Sequence, residues 1–301
     1  KEFQMVRHLR LFLILLLASC RPADRAPSAS SVATEPDTGR VRVPGSTLFY
    51  ESAGTGSPVI LLHGGNLDRR MWDAEFGALQ RTHRVIRYDA RGYGRSGASD
   101  TAFSAHHDLR ALMDALQLPR ASLVGLSLGG RVAMDFALAH PERVDRLVLV
   151  APGISGGTWA EDADTAWLAV AREAAKRQDS VAVARAWLGS AYIRTALRDS
   201  TTAKRVRQWV EDQSPFWAGV VRHPDLEVEA APPAAGRLAE LTAPILLVVG
   251  TADTPFILDV ARAIQAQAAR VQRVDIPGVG HMVNLEAPGP FREALLAFLA
   301  H

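Results

Sequence analysis

Short runs of apolar residues recur along the chain from about residue 41 onward, and longer stretches with helical spacing lie between them. The runs are rich in Val, Ile and Leu, which is typical of strands that are buried on both faces of a sheet. Alternation of such strands with helices predicts βα units and a mostly parallel central sheet flanked by helices. The predicted strands cover residues 59–62, 84–88, 122–125, 147–150, 245–249 and 271–276.

A β-hairpin is predicted at the start of the sheet. Residues 41–43 and 48–50 have strand-like composition, and Pro44-Gly45 between them is a turn signal. Helical spacing between and after the later strands predicts helices over residues 109–118, 131–139 and 292–299.

The alternation of strands and helices stops after Pro152 and resumes at about Ala243. The segment between them, residues 153–242, contains five of the six tryptophans and Ala-rich runs with helical spacing. We interpret it as a helical cap that is inserted after a core strand and lies over the sheet. The core is then discontinuous and consists of residues 40–152 and 243–301.

The amino-terminal segment has the order of a secretory signal. Basic residues precede an apolar run over residues 11–17, and small residues follow it. The run is too short to span a bilayer, which takes about 20 residues. Residues 1–4 are interpreted as upstream sequence because Met5 is a better start, so residues 1–20 comprise upstream residues and a signal peptide.

The end of this signal, Leu-Ala-Ser-Cys at residues 17–20, resembles the lipobox of bacterial lipoproteins. The resemblance implies that Cys20 is acylated and anchors the protein to a membrane. Residues 21–39 are rich in Pro, Ala and Ser and lack aromatic residues, which predicts a disordered tether. We therefore expect an extracytoplasmic lipoprotein. Arg21, rather than an aspartate, favours the outer membrane facing the periplasm if the source has two membranes.

Composition excludes several other classes of protein. The formal net charge is only +2, and acidic and basic residues are interspersed, which argues against a nucleic-acid partner. Cys20 is the only cysteine, so disulfides within the chain and a thiol catalytic centre are excluded. Neither the spacing of a metal site nor the G-x-G-x-x-G arrangement of a dinucleotide site occurs, so we expect no metal and no organic cofactor.

A G-x-S-x-G motif at residues 125–129 lies directly after a predicted strand and directly before a predicted helix. This context is typical of a nucleophile elbow, a tight turn that lifts the serine hydroxyl above the edge of the sheet. Bulky residues two positions before or after Ser127 would clash, which explains Gly125 and Gly129. Ser127 is therefore the predicted nucleophile.

A serine hydroxyl needs a base to take its proton, and that base needs an acid to orient it. Of the nine histidines, His281 is the best placed, because it lies in a Gly-rich loop after the last predicted strand. Asp253 follows the strand 245–249 and is the predicted acid; it could also cap the helix that begins there. The order Ser, Asp, His, each after its own strand, is more specific than any one of the three.

The predicted oxyanion loop is His-Gly-Gly-Asn at residues 63–66, directly after a predicted strand. We expect the backbone N–H groups of Gly65 and Leu128 to bind the negative oxygen of a tetrahedral intermediate. His63 is interpreted as a structural support of this loop, and Asn66 as a further candidate donor through its side chain.

Taken together, these motifs resemble the α/β-hydrolase superfamily over roughly residues 41–300. The segments that carry the resemblance are His63-Gly64-Gly65, residues 88–96, residues 125–130, Asp253 and His281. Residues 71–73, 87–94 and 141–147 more narrowly resemble the branch of 3-oxoadipate enol-lactonases and aryl esterases. The chain departs from the enol-lactonases at residues 63–65 and in its export signal. The resemblance implies an α/β-hydrolase fold and a Ser-His-Asp mechanism.

The sequence thus favours a serine hydrolase that cleaves a small-molecule ester or lactone through an acyl-enzyme. A serine at position 127 argues against haloalkane dehalogenases and epoxide hydrolases, which use a carboxylate nucleophile. Hydrolysis of lactones, amides or C–C bonds, or perhydrolysis, are alternatives, because fold and triad do not fix the substrate. A catalytically inactive, ligand-binding surface lipoprotein is the rival from another class. The tryptophans of the cap favour an apolar or aromatic pocket, or else form the core of the cap.

Overall fold

A computed structural model of the protein describes residues 35–98, 100–157 and 166–300. The predicted signal peptide at residues 1–20, Cys20, and the predicted tether up to residue 34 lie outside the described residues. No helix in the described part of the chain is both long enough and apolar enough to cross a membrane.

One eight-stranded sheet forms the centre of the fold, with strand order β1-β2-β4-β3-β5-β6-β7-β8. Strand β2 is antiparallel to both of its neighbours, and all other pairs are parallel. The strands are β1 (Asp37–Val43), β2 (Ser46–Ala53), β3 (Pro58–Leu62), β4 (Arg84–Tyr88), β5 (Ala121–Leu126), β6 (Val144–Val150), β7 (Ile245–Gly250) and β8 (Val271–Ile276). The mostly parallel sheet confirms the predicted fold class, and each predicted strand is present.

Helices cover both faces of the sheet. One face packs against α1 and α10, and the other against α2, α3 and α8. The α-helices are α1 (Asp73–Leu79), α2 (Ala105–Ala115), α3 (Leu128–Ala139), α4 (Ala166–Lys176), α5 (Ser180–Leu188), α6 (Ala191–Arg194), α7 (Ser200–Arg222), α8 (Pro255–Gln267), α9 (Val283–Glu286) and α10 (Pro288–Leu299). Every residue of the central strands β5 and β7 is buried, because apolar layers cover both of their faces.

Helices α4 to α7 form the cap between β6 and β7, where the insertion was predicted. Buried residues of α4, α5 and α7 pack against one another. The buried side chain of Gln213 in α7 connects the cap to the core: its Nε2 donates to Asp68 at 2.8 Å, and its Oε1 accepts from the N–H of Gly94 at 2.6 Å.

Most predicted boundaries differ from the structure by a few residues, as for the helix predicted at 109–118, which is Ala105–Ala115; two of the differences have a clear physical reason. The tether was predicted to end at residue 39, but Asp37, Thr38 and Gly39 already belong to β1 and pair with β2. The prediction was wrong at these three residues because an edge strand is held by backbone hydrogen bonds and needs little apolar content. The helix predicted at 131–139 begins three residues earlier, at Leu128. The prediction missed its first turn because the two glycines there do not show a helical pattern.

Glu75 on α1 is a buried carboxyl group on the face that packs against the sheet. Its side chain is 1% exposed, and the nearest cation, a guanidinium nitrogen of Arg292, lies 3.8 Å from Oε1. Within the described residues neither carboxyl oxygen has a hydrogen-bond partner at good geometry. Burial therefore raises the pKa of Glu75 to about 7.

We expect Glu75 to contribute a fall in stability as pH rises from about 4.5 to about 7, because its carboxyl group is protonated more readily in the folded chain. The stabilising contribution of the protonated carboxyl group is fully present below the pKa that Glu75 has in the unfolded chain. It is lost as pH rises through the pKa that Glu75 has in the folded chain. Over this interval the loss is about 3 kcal/mol. Glu75→Gln should remove this part of the pH dependence in urea unfolding measured at several pH values. The exposed Glu142→Gln is the control; an unchanged slope in Glu75→Gln would contradict the prediction.

Candidate active site

Ser127 occupies a strained turn between β5 and α3. Its backbone has φ 53° and ψ −111°, and residues other than glycine rarely adopt such a positive φ. The glycines of the motif are needed because backbone approaches them closely. A Cβ on Gly129 would lie 2.3 Å from the carbonyl oxygen of Leu62, and one on Gly125 would lie 2.3 Å from that of Gly129.

We expect Gly129→Ala to destabilise the protein by about 3 kcal/mol or more, because its Cβ has only rigid backbone to displace. The matched control is Gly77→Ala on α1, where no atom lies within 4 Å of the added Cβ. That substitution should stabilise the protein by about 0.5–1 kcal/mol through helix propensity. Urea unfolding measures both; equal stability of the two variants would show that the turn does not require glycine.

His281 and Asp253 form a buried pair at the edge of the sheet where β7 and β8 end. His281 Nδ1 lies 2.9 Å from Oδ2 and 3.2 Å from Oδ1 of Asp253, and the side chains are 1% and 0% exposed. Oδ1 also accepts from the N–H of Thr254 at 2.7 Å. The alternative in which Asp253 caps α8 is wrong, because the residue at the N-cap is Thr254.

Gly65 and Leu128 lie next to each other and line the same cavity as Ser127 and His281. A Cβ on Gly65 would be 3.9 Å from Cβ of Leu128. Leu128 is the first residue of α3, so its N–H has no acceptor within the helix. The neighbouring N–H of Gly64 is already used, since it donates to Sδ of Met71 at 3.2 Å.

His63 supports the same loop. Its Nε2 accepts from the N–H of Ala90 at 2.9 Å, so Nδ1 carries the proton and donates to the carbonyl oxygen of Gly64 at 2.8 Å. Both ring nitrogens are therefore occupied, which agrees with a structural role. The Asn66 side chain is buried, and within the described residues neither of its amide atoms has a hydrogen-bond partner.

A cavity of about 970 Å³ brings the predicted site residues together. Ser127, His281, Gly65 and Leu128 all line it, and Asp253 lies behind His281. No group of three or more His, Cys, Asp or Glu side chains in the described part of the chain could hold a metal ion.

Aromatic residues of the cap form one wall of this cavity, and the sequence did not show how close they come to His281. The rings of Trp167 and Trp187 are 4.8 Å apart, and that of Trp187 stacks on Tyr192 at 6.0 Å. The ring of Tyr192 meets that of His281 edge-on at 4.8 Å. The cluster of tryptophans in the cap segment was the only signal in the sequence for this wall.

Two arginines that line the cavity are paired with carboxylates. Arg91 makes two hydrogen bonds to Asp108, at 2.8 and 2.7 Å. Arg131, one helical turn after Ser127, forms an ion pair with Glu227 and lies 3.8 Å from Glu229. Both guanidinium groups are therefore engaged within the protein.

The chain resembles several characterised proteins. It is 31% identical to the pimeloyl-[acyl-carrier protein] methyl ester esterase of Edwardsiella ictaluri, over 84% of this chain and 97% of that protein. It is 28% identical to a 2-hydroxy-6-oxononadienedioate/2-hydroxy-6-oxononatrienedioate hydrolase of Paraburkholderia xenovorans, over 84% of this chain and 91% of that protein. The crystal structure of the enol-lactonase from Burkholderia xenovorans has a TM-score of 0.69 at 24% identity and covers 87% of this chain and 100% of its own; at that identity it supports the fold.

A profile of the alpha/beta hydrolase family matches residues 59–294, which include the elbow, the oxyanion loop and the His–Asp pair. The match agrees with the strand order, in which only β2 runs against the other strands. The predicted resemblance to the α/β-hydrolase superfamily is thereby confirmed, and the enol-lactonase structure agrees with the fold. The chain is therefore a hydrolase that belongs to the alpha/beta hydrolase family.

Proposed function

We propose that the protein hydrolyses carboxylic esters through an acyl-enzyme, with Ser127, His281 and Asp253 as its triad. The observation that carries the proposal is the buried His281–Asp253 pair beside a cavity that Ser127 also lines. A strained serine at the amino-terminal end of a helix, which lines the same cavity as an oriented imidazole, is the arrangement that acyl transfer requires.

Each group has one role in this mechanism. His281 takes the hydroxyl proton as Ser127 attacks the ester carbonyl, and it then gives that proton to the leaving alcohol. Asp253 orients the imidazole and stabilises its charged form. The N–H groups of Gly65 and Leu128 bind the oxyanion, and each such donor contributes about 3 kcal/mol. Water, activated by His281, then releases the acyl group, so no cofactor is needed.

A neutral ester is favoured over a charged substrate. Two of the three arginines that line the cavity, Arg91 and Arg131, already neutralise protein carboxylates, the third, Arg172 of α4, is solvent-exposed, and the cap wall is aromatic. The relative from Edwardsiella ictaluri is named for a methyl ester, which supports ester cleavage. The relative from Paraburkholderia xenovorans is named for a dioate, and its resemblance makes a dicarboxylate substrate the second candidate.

A panel of p-nitrophenyl esters tests the proposal, with lactones, anilides and a 2-hydroxy-6-oxodienedioate as the other classes. We expect the highest kcat/KM on neutral esters and at least about tenfold lower values on acyl groups that end in a carboxylate. Preference for the dienedioate would overturn the ester proposal in favour of the second candidate. A fluorophosphonate probe separates an enzyme from an inactive binding lipoprotein, because only an activated serine is labelled.

We further propose that Cys20 is acylated and anchors the enzyme to a membrane on the extracytoplasmic side. The proposal is supported by the basic residues, the apolar run and the lipobox-like residues 17–20. Each buried methylene of an acyl chain contributes about 0.8 kcal/mol, so stable anchoring needs more than one chain.

Cys20→Ser should prevent labelling by a palmitate analogue and block cleavage of the signal at this site, while activity on soluble esters is retained. A variant that begins at Pro22 should be soluble and fully active, because residues 1–21 contribute nothing to catalysis in this proposal. Recovery of the unaltered chain in the cytosol, with residues 5–20 still attached, would show that the anchor does not form.

A further inference from the structure

One carboxylate holds the loop of His281 from both sides, and the mechanism above does not use it. The N–H of Gly280 donates to Oε2 of Glu286 at 2.8 Å, and the N–H of Met282 donates to Oε1 at 3.1 Å. These N–H groups flank His281 in the chain. The backbone on either side of the base is therefore fixed by a single side chain, whose two oxygens are both used.

We propose that Glu286 is the positioning residue of the base: it fixes the backbone around His281, and its negative charge stabilises the imidazolium that forms during acylation. This inference rests on the serine hydrolase function proposed above. Glu286 ends α9, the single helical turn that follows the histidine, and folds back over the start of that turn. A loop rich in glycine has no conformational restriction of its own, so such an external brace is required for a fixed imidazole.

The cap covers this brace. A Cβ on Gly280 would lie 2.7 Å from the side chain of Thr195 and 3.3 Å from Oε1 of Glu286. Gly280 is thus in contact with the cap and with the carboxylate at once. The ring of Tyr192, one turn before Thr195, packs on His281 itself. The position of α6 and the position of the base are therefore coupled through these contacts.

Two titratable side chains contact the imidazole among the described residues, Asp253 and Tyr192, and Glu286 binds the backbone on both sides of it. Asp253 is bonded to Nδ1, while Glu286 acts through space and through the backbone. Burial raises the pKa of Glu286, and the N–H groups of Gly280 and Met282 oppose that shift by stabilising its ionised form. A negative charge at this point attracts the imidazolium that forms during acylation.

The variant Glu286→Gln distinguishes a role of Glu286 in positioning His281 from a role in folding alone. The amide keeps one oxygen for one N–H group, turns its NH₂ towards the other, and removes the charge. We expect kcat to fall about 30-fold with KM within about threefold. We also expect the acid limb of kcat/KM to move to lower pH by about half a unit or more, because the imidazolium loses a neighbouring anion. Glu293→Gln, an exposed residue of α10 with the same change in charge, is the matched control.

Glu286→Asp is the second variant. The aspartate keeps the negative charge but is too short to reach both N–H groups. We therefore expect kcat to fall while the acid limb of the pH profile of kcat/KM stays in place. An NMR titration of His281 in the Ser127→Ala background measures its pKa without any ester turnover. Failure of the ester proposal therefore leaves this readout intact. A lowered pKa of His281 in Glu286→Gln supports the inference; an unchanged pKa, or a kcat within twofold of the unaltered enzyme, overturns it.

Discussion

Replacing Ser127 with alanine should abolish ester hydrolysis and leave the protein folded. The three members of a triad act as a unit, so the loss of the nucleophile alone costs about 10⁶-fold in kcat. The fold should tolerate the change, because alanine at φ 53° is no more strained than serine and no hydroxyl partner in the described structure is left unpaired.

The measurement is turnover of a p-nitrophenyl ester together with urea unfolding and labelling by a fluorophosphonate. The unaltered protein should be labelled and Ser127→Ala should not. The control is Ser180→Ala at the first turn of α5, far along the chain from the elbow, which should be labelled and active. Near-normal turnover by Ser127→Ala would refute the assignment of the nucleophile.

Asp253→Asn should lower kcat by about 10⁴-fold, as the corresponding change does in a serine protease. The structure shows why the new amide would be oriented unfavourably. The N–H of Thr254 donates to Oδ1, and it would retain the oxygen of the asparagine. The NH₂ group then faces Nδ1 of His281 and donates to it. The imidazole proton is thereby placed on Nε2, and a protonated Nε2 cannot accept the proton of Ser127.

The control for Asp253→Asn is the same substitution at an exposed aspartate outside the candidate site. Asp259→Asn on α8 removes the same charge from an exposed ion pair with Arg262 and should leave kcat unchanged. A loss of less than about tenfold in Asp253→Asn would point to a different acid. Restored activity at high pH would not be expected, since the defect is a wrong tautomer and not a wrong protonation state.

The alternation of apolar runs with helical spacing determined the fold class and the order of the strands along the chain. A strand that is buried on both faces must be apolar throughout, so the sequence carries its position directly, as in β3 (Pro58–Leu62) and β7 (Ile245–Gly250). The carboxyl ends of parallel strands meet at one edge of a sheet. Ser127, Asp253 and His281 each follow such a strand, which is why the sequence also predicted that they share a site.

Only the tertiary structure decided what the remaining polar residues do. Nothing in the local pattern distinguishes Glu286, which holds the loop of His281, from the exposed Glu293 seven residues later. Glu75 lies on the buried face of α1, three residues after Trp72 and four before Leu79, but its charged side chain gave no sign that it is buried. Burial and hydrogen bonding of a charged side chain depend on residues that are distant in sequence. The apolar periodicity of a segment fixes which of its faces is covered, but not what covers it.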